Sequence, residues 1–154
     1  MTVTTRPEER GADEPFLRGL ILQNLTLELH ADQWPQPMRD HLLGIQYQGR
    51  RSSAPSSYPE GASRIILMDG APAGWIYIAD LDDAVYIAEI LVLAEHRGKG
   101  VGSAVMRGIM DMAGEKTVRL SVNTLNAGAV RFYERLGFRR VRGGDVDQVM
   151  EYRR

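Results

Sequence analysis

Three runs of Ile, Val, Leu and Tyr, SRIILMD, GWIYIADL and AVYIAEILVL, follow one another between Ser63 and Leu93, with only GAPAG and DD to join them. Connections that short suit hairpins, so the middle of the chain predicts an antiparallel meander. The pattern then alternates. A helix over Val101–Ala113 is followed by the strand TVRLSV, a helix over Ala127–Leu136, the strand GFRRV and a last strand VDQVMEYR. A meander followed by strand–helix–strand units predicts an α/β sheet covered by helices.

The flanks fit the same plan. VTTRP reads as a short first strand. In ADEPFLRGLILQNLTLELH, Asp13 is placed to cap a helix and Pro15 to open it, while Leu17, Leu20, Ile21 and Leu25 share one face. QPMRDHLLGIQYQGR reads as a second helix and RRSSAPSSYPEGA as one long loop. Val101, Ala104, Val105, Ile109 and Met112 make one face of the later helix, which Gly114 stops.

At 154 residues the chain fits one domain. A net charge of −1 gives no reason to expect nucleic acid or an anionic membrane as partner, and Arg50–Arg51 and Arg139–Arg140 read as solvated faces. With no cysteine, disulfides, thiolate metal sites and a cysteine nucleophile are excluded. His30, His41 and His96 have no ligand spacing, so no metal is expected. The polar start MTVTTRPEERGADEP lacks the core of a signal peptide, and no apolar run is long enough to span a bilayer. A soluble, cytoplasmic protein is the default expectation.

The most specific feature is RGKGVG, Arg97–Gly102, between a strand and a helix. A helix start exposes unpaired N–H groups and the positive end of its dipole. Glycines at 98, 100 and 102 would let an anion approach those groups, although a plain tight turn is the simpler alternative. The P-loop pattern fails because Gly100 follows Lys99. The dinucleotide pattern fails because Ser103 stands three residues after Gly100 and Val105 three after Gly102.

What remains is R-x-x-G-x-G, which resembles the pyrophosphate loop of the GNAT superfamily of acyl-CoA N-acyltransferases. The resemblance continues in ILVLAEHRGKGVGSAVM, with Ala94 where proline is common, and in LSVNTLNAGAVRFYERLGF. It covers about Ala62 to Arg153. It implies a mostly antiparallel sheet of six to seven strands with about four helices, splayed between the fourth and fifth strands. It also implies that residues 61–154 form a coenzyme A core and residues 1–60 a helical acceptor side.

For the cofactor, the resemblance implies diphosphate on the amides of Gly98, Lys99, Gly100, Val101, Gly102 and Ser103, and backbone groups of Leu91 and Val92 paired with the pantetheine arm. Arg97 and Lys99 either add charge there or are simply solvated. Asn126 is placed as a helix cap, and the resemblance adds a bond to pantetheine. Asn123 reads as a strand-end residue and His96 as exposed.

Two residues carry candidate chemistry. Glu89 stands alone in an aliphatic strand, so it is either an ion-paired carboxylate or a base whose pKa burial raises. Tyr133, on a helix face with Ala129, Phe132 and Leu136, is either core or, as the resemblance implies, the acid that protonates the departing thiolate. The expected activity is acetyl transfer from acetyl-CoA to a primary amine of a small molecule, amino acid or peptide by direct attack. Tyr47, Arg50, Arg51 and Tyr58 are the acceptor-side candidates by position. A non-catalytic acyl-CoA sensor and a protein binding another nucleotide remain alternatives, and the family's habit of pairing subunits through its last strands leaves a homodimer open.

Overall fold

The computed structural model describes residues Met1–Arg154. The order is β1 (Val3–Pro7), α1 (Glu14–Leu29), α2 (Met38–Ser57), β2 (Ala62–Met68), β3 (Ala71–Asp80), β4 (Ala84–Val92), α3 (Val101–Ala113), β5 (Thr117–Asn123), α4 (Ala127–Arg135), β6 (Arg139–Gly143) and β7 (Asp147–Tyr152). The strands form one seven-stranded sheet in the order β1-β2-β3-β4-β5-β7-β6. Every neighbour is antiparallel except β4 and β5. Those two pair in parallel only where Ala84–Ile87 meet Thr117–Leu120, and beyond Ile87 the strands part. The expected splay is therefore present. No helix is long and apolar enough to cross a membrane.

Helices cover both faces of the sheet. On one face α1 and α2 bury Leu17, Leu20, Ile21 and Leu25 against Ile65, Trp75, Tyr77 and Leu91. On the other, Val101, Val105, Met106 and Ile109 of α3 pack with Ile66, Ile76, Val85 and Ile87. Tyr133 and Phe138 extend that second layer under α4.

A β-bulge in β4 decides which layer its later residues join. Tyr77 pairs with Glu89 but Ile78 pairs with Ile87, so Ala88 is an extra residue. Before it, Val85 and Ile87 face α3; after it, Ile90 and Val92 do. Ala88 and Leu91 pack on the α1–α2 side. Side chains alternate along a strand, and one inserted residue reverses the alternation. Glu89 is thereby turned towards α1 and α2 rather than into the layer under α3.

Several local expectations are corrected. The segment Arg51–Ser57 is the last part of α2, not loop. Pro55 lies in the final turn, where its missing N–H forfeits one bond, and the Tyr58 N–H still closes on the Ala54 carbonyl at 2.9 Å. Arg51 anchors that turn through ion pairs to Glu8 at 2.6 Å and Glu14 at 3.1 Å. The β2–β3 connection is not GAPAG but the two-residue turn Asp69–Gly70, with φ of 52° and 85°; Ala71 already belongs to β3. Asp13 occupies the cap position of α1 without capping it. Its carboxylate accepts two bonds from Arg6 at 2.8 Å and the Glu9 N–H at 2.7 Å. Met112 is exposed at the rim of a concavity, while its neighbours Met110 and Ala113 pack into the core.

Candidate active site at the splay

The turn into α3 has the form that the glycine spacing predicts. Gly98 and Gly100 have φ of 76° and 85°, a region that side-chain-bearing residues rarely adopt. A Cβ at Gly98 would meet open space, and at Gly100 only the end of Met1 at 3.8 Å. Gly102 has a different reason: a Cβ there would lie 3.4 Å from Cζ of Phe132, so this glycine lets α4 pack close to α3. The amides of Gly98, Gly100, Val101, Gly102 and Ser103 donate to no protein acceptor, and the first bond into the helix is Ala104 N–H to the Gly100 carbonyl at 3.0 Å. Five free donors at a helix start form a cradle for an anion.

The two cations beside this cradle differ. Arg97 donates to Oδ1 of Asn24 on α1, whose Nδ2 donates to the Leu20 carbonyl at 3.0 Å. It therefore ties the turn to α1 and is not merely solvated. Lys99 is exposed and pairs with no acidic side chain. His96 is half-buried rather than exposed, with its Nδ1 enclosed and unpartnered.

Beyond Ile87, β4 has no strand on its β5 side. The Leu93 N–H bonds Ala73 of β3 at 2.8 Å. The Leu91 carbonyl also lies on the β3 side, close enough that a Cβ on Gly74 would be 2.3 Å from it. Because backbone groups alternate along a strand, those of Ile90 and Val92 face the open seam. Leu91 is thus corrected from a seam residue to a core residue with its carbonyl turned the other way. Ile90 takes its place, a substitution that the parity of β4 could have revealed had the bulge been visible.

Glu89 and Tyr133 lie in opposite layers, close enough for the charge of Glu89 to act on the Tyr133 phenol. The Glu89 side chain is 15% exposed and its Oε2 accepts from Nε of Arg50 at 2.9 Å. Burial nevertheless pushes its pKa above the ordinary carboxylate value, with the Arg50 guanidinium opposing the rise. The ion pair and the elevated base, alternatives at the level of sequence, therefore coexist. Tyr133 is buried between Phe132 and Phe138, with ring centroids 5.2 and 5.7 Å away. Burial, then the charge of Glu89, pushes its phenol up to about 12. Asn126 caps α4 through Oδ1, which accepts the Ala129 N–H at 3.1 Å. Asn123 ends β5 and accepts the Leu125 N–H at 2.8 Å.

The acceptor-side candidates separate. Tyr47 is buried under α1 with its hydroxyl on Glu14 and Arg18 stacked 4.9 Å over its ring, so it supports the wall rather than lining it. Arg51 is likewise structural, 5.4 Å over the Trp75 ring. Arg50 bridges Glu89 and Glu28, the latter at 3.1 Å, beside a groove of about 450 Å³ between α1 and α2. Tyr58 stacks on Tyr86 of β4 at 5.1 Å. The larger concavity, about 760 Å³, lies between α3 and strands β1 to β4. None of its lining residues is Glu89, Tyr133 or part of the Gly98–Ser103 turn, so size does not mark the site here. No group of three or more His, Cys, Asp or Glu side chains converges to hold a metal.

Comparison with known proteins agrees with this geometry. Residues 21–138 match the profile of the Acetyltransferase (GNAT) family. The chain belongs to the GNAT family. This GNAT chain is 35% identical over 81 residues to an uncharacterized N-acetyltransferase of Methanocaldococcus jannaschii, a match covering 46% of this chain and 36% of that protein. The chain thus spans about a third of that relative's length. Among solved structures it resembles the PaiA N-acetyltransferase of Thermoplasma acidophilum in complex with coenzyme A, at 16% identity, full coverage of both chains and a TM-score of 0.73. It also resembles the ribosomal-protein-S18-alanine N-acetyltransferase of Escherichia coli, at 18% identity, 99% and 94% coverage and a TM-score of 0.63. At these identities the likenesses establish the GNAT fold.

Proposed function

We propose that this chain is an N-acetyltransferase that passes the acetyl group of acetyl-CoA directly to a primary amine of a small molecule, amino acid or peptide. The observation that carries this reading is the set of five unpaired amides at the start of α3 beside an open seam in the sheet. A diphosphate needs clustered donors, and an extended pantetheine arm needs a strand edge; the two stand side by side here. The GNAT profile match and the coenzyme A bound to the Thermoplasma protein support the same choice of ligand.

In this reading the diphosphate lies on the amides of Gly98 and Gly100 to Ser103, with Lys99 adding charge. Ile90 and Val92 pair with the pantetheine arm, and Asn126 borders it. The Val92 N–H stabilises the oxyanion formed when the amine attacks. The first 60 residues form the acceptor side, with Arg50 and Tyr58 nearest the entering amine and Tyr47 behind them.

Glu89 takes one proton from the acceptor's ammonium, and the freed lone pair attacks the thioester carbonyl. The C–N bond forms to give the tetrahedral oxyanion, which collapses as the C–S bond breaks. Of the two protons the nitrogen loses, the first leaves Glu89 for solvent and the second ends on sulfur by way of Tyr133. A free thiol has a pKa of about 8.5, so a phenol near 12 is the weaker acid. Full proton transfer to a solvated thiolate would therefore run uphill. Tyr133 acts first as a hydrogen-bond donor to the departing sulfur, and the proton follows because the same burial makes the thiolate more basic. No covalent intermediate is required.

The test is calorimetry with coenzyme A and with adenosine diphosphate, followed by thiol release from acetyl-CoA across a panel of amines. Micromolar affinity for coenzyme A with amine-dependent thiol release supports the reading. Binding with no release for any amine would assign a non-catalytic acyl-CoA sensor instead. No affinity for coenzyme A at millimolar concentration would end it.

A further inference from the structure

Arg50 is placed as no simple acceptor contact would be. Its Nε donates to Oε2 of Glu89 at 2.9 Å and its Nη1 to Glu28 at 3.1 Å, so two of its donor positions are already committed within the protein. The Arg50 side chain is 28% exposed and that of Glu89 15%, whereas Glu28 is 59% exposed at the lip of the groove between α1 and α2. Oε1 of Glu89 accepts from no side chain. Arg50 thus pins the carboxylate through one oxygen, and the one other donor acting on the carboxylate is the backbone N–H of Ile90.

We propose that Arg50 is the positioning residue of Glu89: it grips Oε2 and leaves Oε1 as the oxygen that faces the incoming amine, while Glu28 holds Arg50 in that pose. The inference rests on Glu89 acting as the base. A buried carboxylate without a counterion neutralises itself by taking up a proton, and a protonated Glu89 has no free pair for the acceptor. The groups that face it are Arg50 from α2, Glu28 beyond Arg50 on α1, Tyr133 from α4 and Tyr77 directly across on β3. Tyr77 is engaged elsewhere, donating to the Tyr58 carbonyl at 2.5 Å. Arg50 is the only cation among them, and together with the backbone N–H of Ile90 it favours the ionised form of Glu89 against burial.

The charges also speak to the acceptor. Glu28 and Glu89 against one Arg50 leave the cluster with a net charge of −1 at neutral pH. That sum attracts an ammonium and opposes a carboxylate attached beside it. An amine whose neighbouring carbon carries an amide or alkyl group is therefore favoured over a free α-amino acid.

The experiment compares wild type, Arg50→Met, Arg50→Lys and Glu28→Gln. Thiol release from acetyl-CoA is followed from about pH 5.5 to about pH 9, with n-butylamine and alaninamide as acceptor probes and alanine as the matched acid. Arg50→Met is expected to move the acid limb of kcat to higher pH and to lower kcat at neutral pH at least about tenfold, with the KM for acetyl-CoA unchanged. Arg50→Lys should recover most of the loss. Glu28→Gln should change the rate less than about fivefold, because its pair is exposed, and should narrow the preference for alaninamide over alanine. An Arg50→Met profile that overlays wild type, or a loss equal at every pH and not regained by lysine, overturns the proposal.

A second measurement is independent of turnover. With carbon-13 at the glutamate side-chain carboxyls, the Glu89 resonance should titrate at higher pH in Arg50→Met than in wild type, and an unmoved titration would also overturn the proposal. The underlying reading fails separately. Unaltered turnover in Glu89→Gln removes the base role even where the Arg50 variants shift the Glu89 titration as described.

Discussion

The carbonyl oxygen of Leu91 lies where only a glycine can face it: a Cβ on Gly74 would approach it to 2.3 Å. The contact is backbone against side chain in the centre of the sheet, so no flexible group can yield. Gly74→Ala is expected to destabilise the protein by roughly 2 to 3 kcal/mol through overpacking. Because the strain falls on the β4 segment that borders the seam, coenzyme A affinity should fall with it. Thermal melting and calorimetry on the same variant check both effects, and an unchanged melting temperature would mean that β3 and β4 can separate without cost.

Gly100 offers a contrast, since its surroundings are open but its φ is 85°. Gly100→Ala should cost about 1 kcal/mol in stability from backbone strain alone. It should weaken coenzyme A binding by about tenfold, because relaxing φ redirects the amides of the cradle. Denaturant unfolding and calorimetry separate the two. Gly102→Ala, whose new Cβ would only touch Phe132, should have the smaller effect on binding.

Tyr133→Phe removes a hydroxyl from a ring held between two phenylalanines and leaves the packing intact. Turnover should fall about 10- to 100-fold with the KM for acetyl-CoA preserved. Steady-state kinetics with the best amine of the panel gives the answer, and equal turnover would assign Tyr133 to the core alone.

Glu89, raised above its ordinary value by burial, predicts a rate that is full above its pKa and falls as pH drops through it. Glu89→Gln should lower kcat and erase that acid limb. The pH dependence of kcat in the two proteins is the check.

Asp13 gives the opposite sign. Its bonds from Arg6 hold its pKa down at about 2 in the folded state against an ordinary 3.8. The stability it contributes is therefore complete above pH 4 or so and is lost as pH falls towards about 2. The amount is on the order of 2 kcal/mol. Asp13→Asn should lower the melting temperature at neutral pH and show less further loss on acidification than wild type.

Much of the architecture was legible from pattern alone. The meander, α3 with Gly114 as its stop, and the buried face of α1 each rest on local periodicity, which tertiary contacts here reinforce. The end of α2 was hidden because Ser and Pro suggest loop, whereas Arg51 and the buried Ala54 hold the turn in place through distant partners. Asp13 departs from its expected capping role for the same reason: its carboxylate serves Arg6, seven residues away, instead of its own helix. The glycines at 98 and 100 announced the cradle directly. The facing of Leu91 and the pairing of Arg50 with Glu89 could not be read, since one depends on which way a strand is turned and the other on a pair 39 residues apart.

The extra residue at Ala88 carries more weight than its methyl group suggests. Were it paired as an ordinary rung instead of bulged out, every position from 89 onward would exchange sides: the acid would be driven into oil beneath α3, and Ile90 would be offered to the guanidinium in its place. The length of the polypeptide between two hydrogen-bonded rungs, rather than the identity of any side chain, thus separates an ion-paired carboxylate from a stranded and destabilising one.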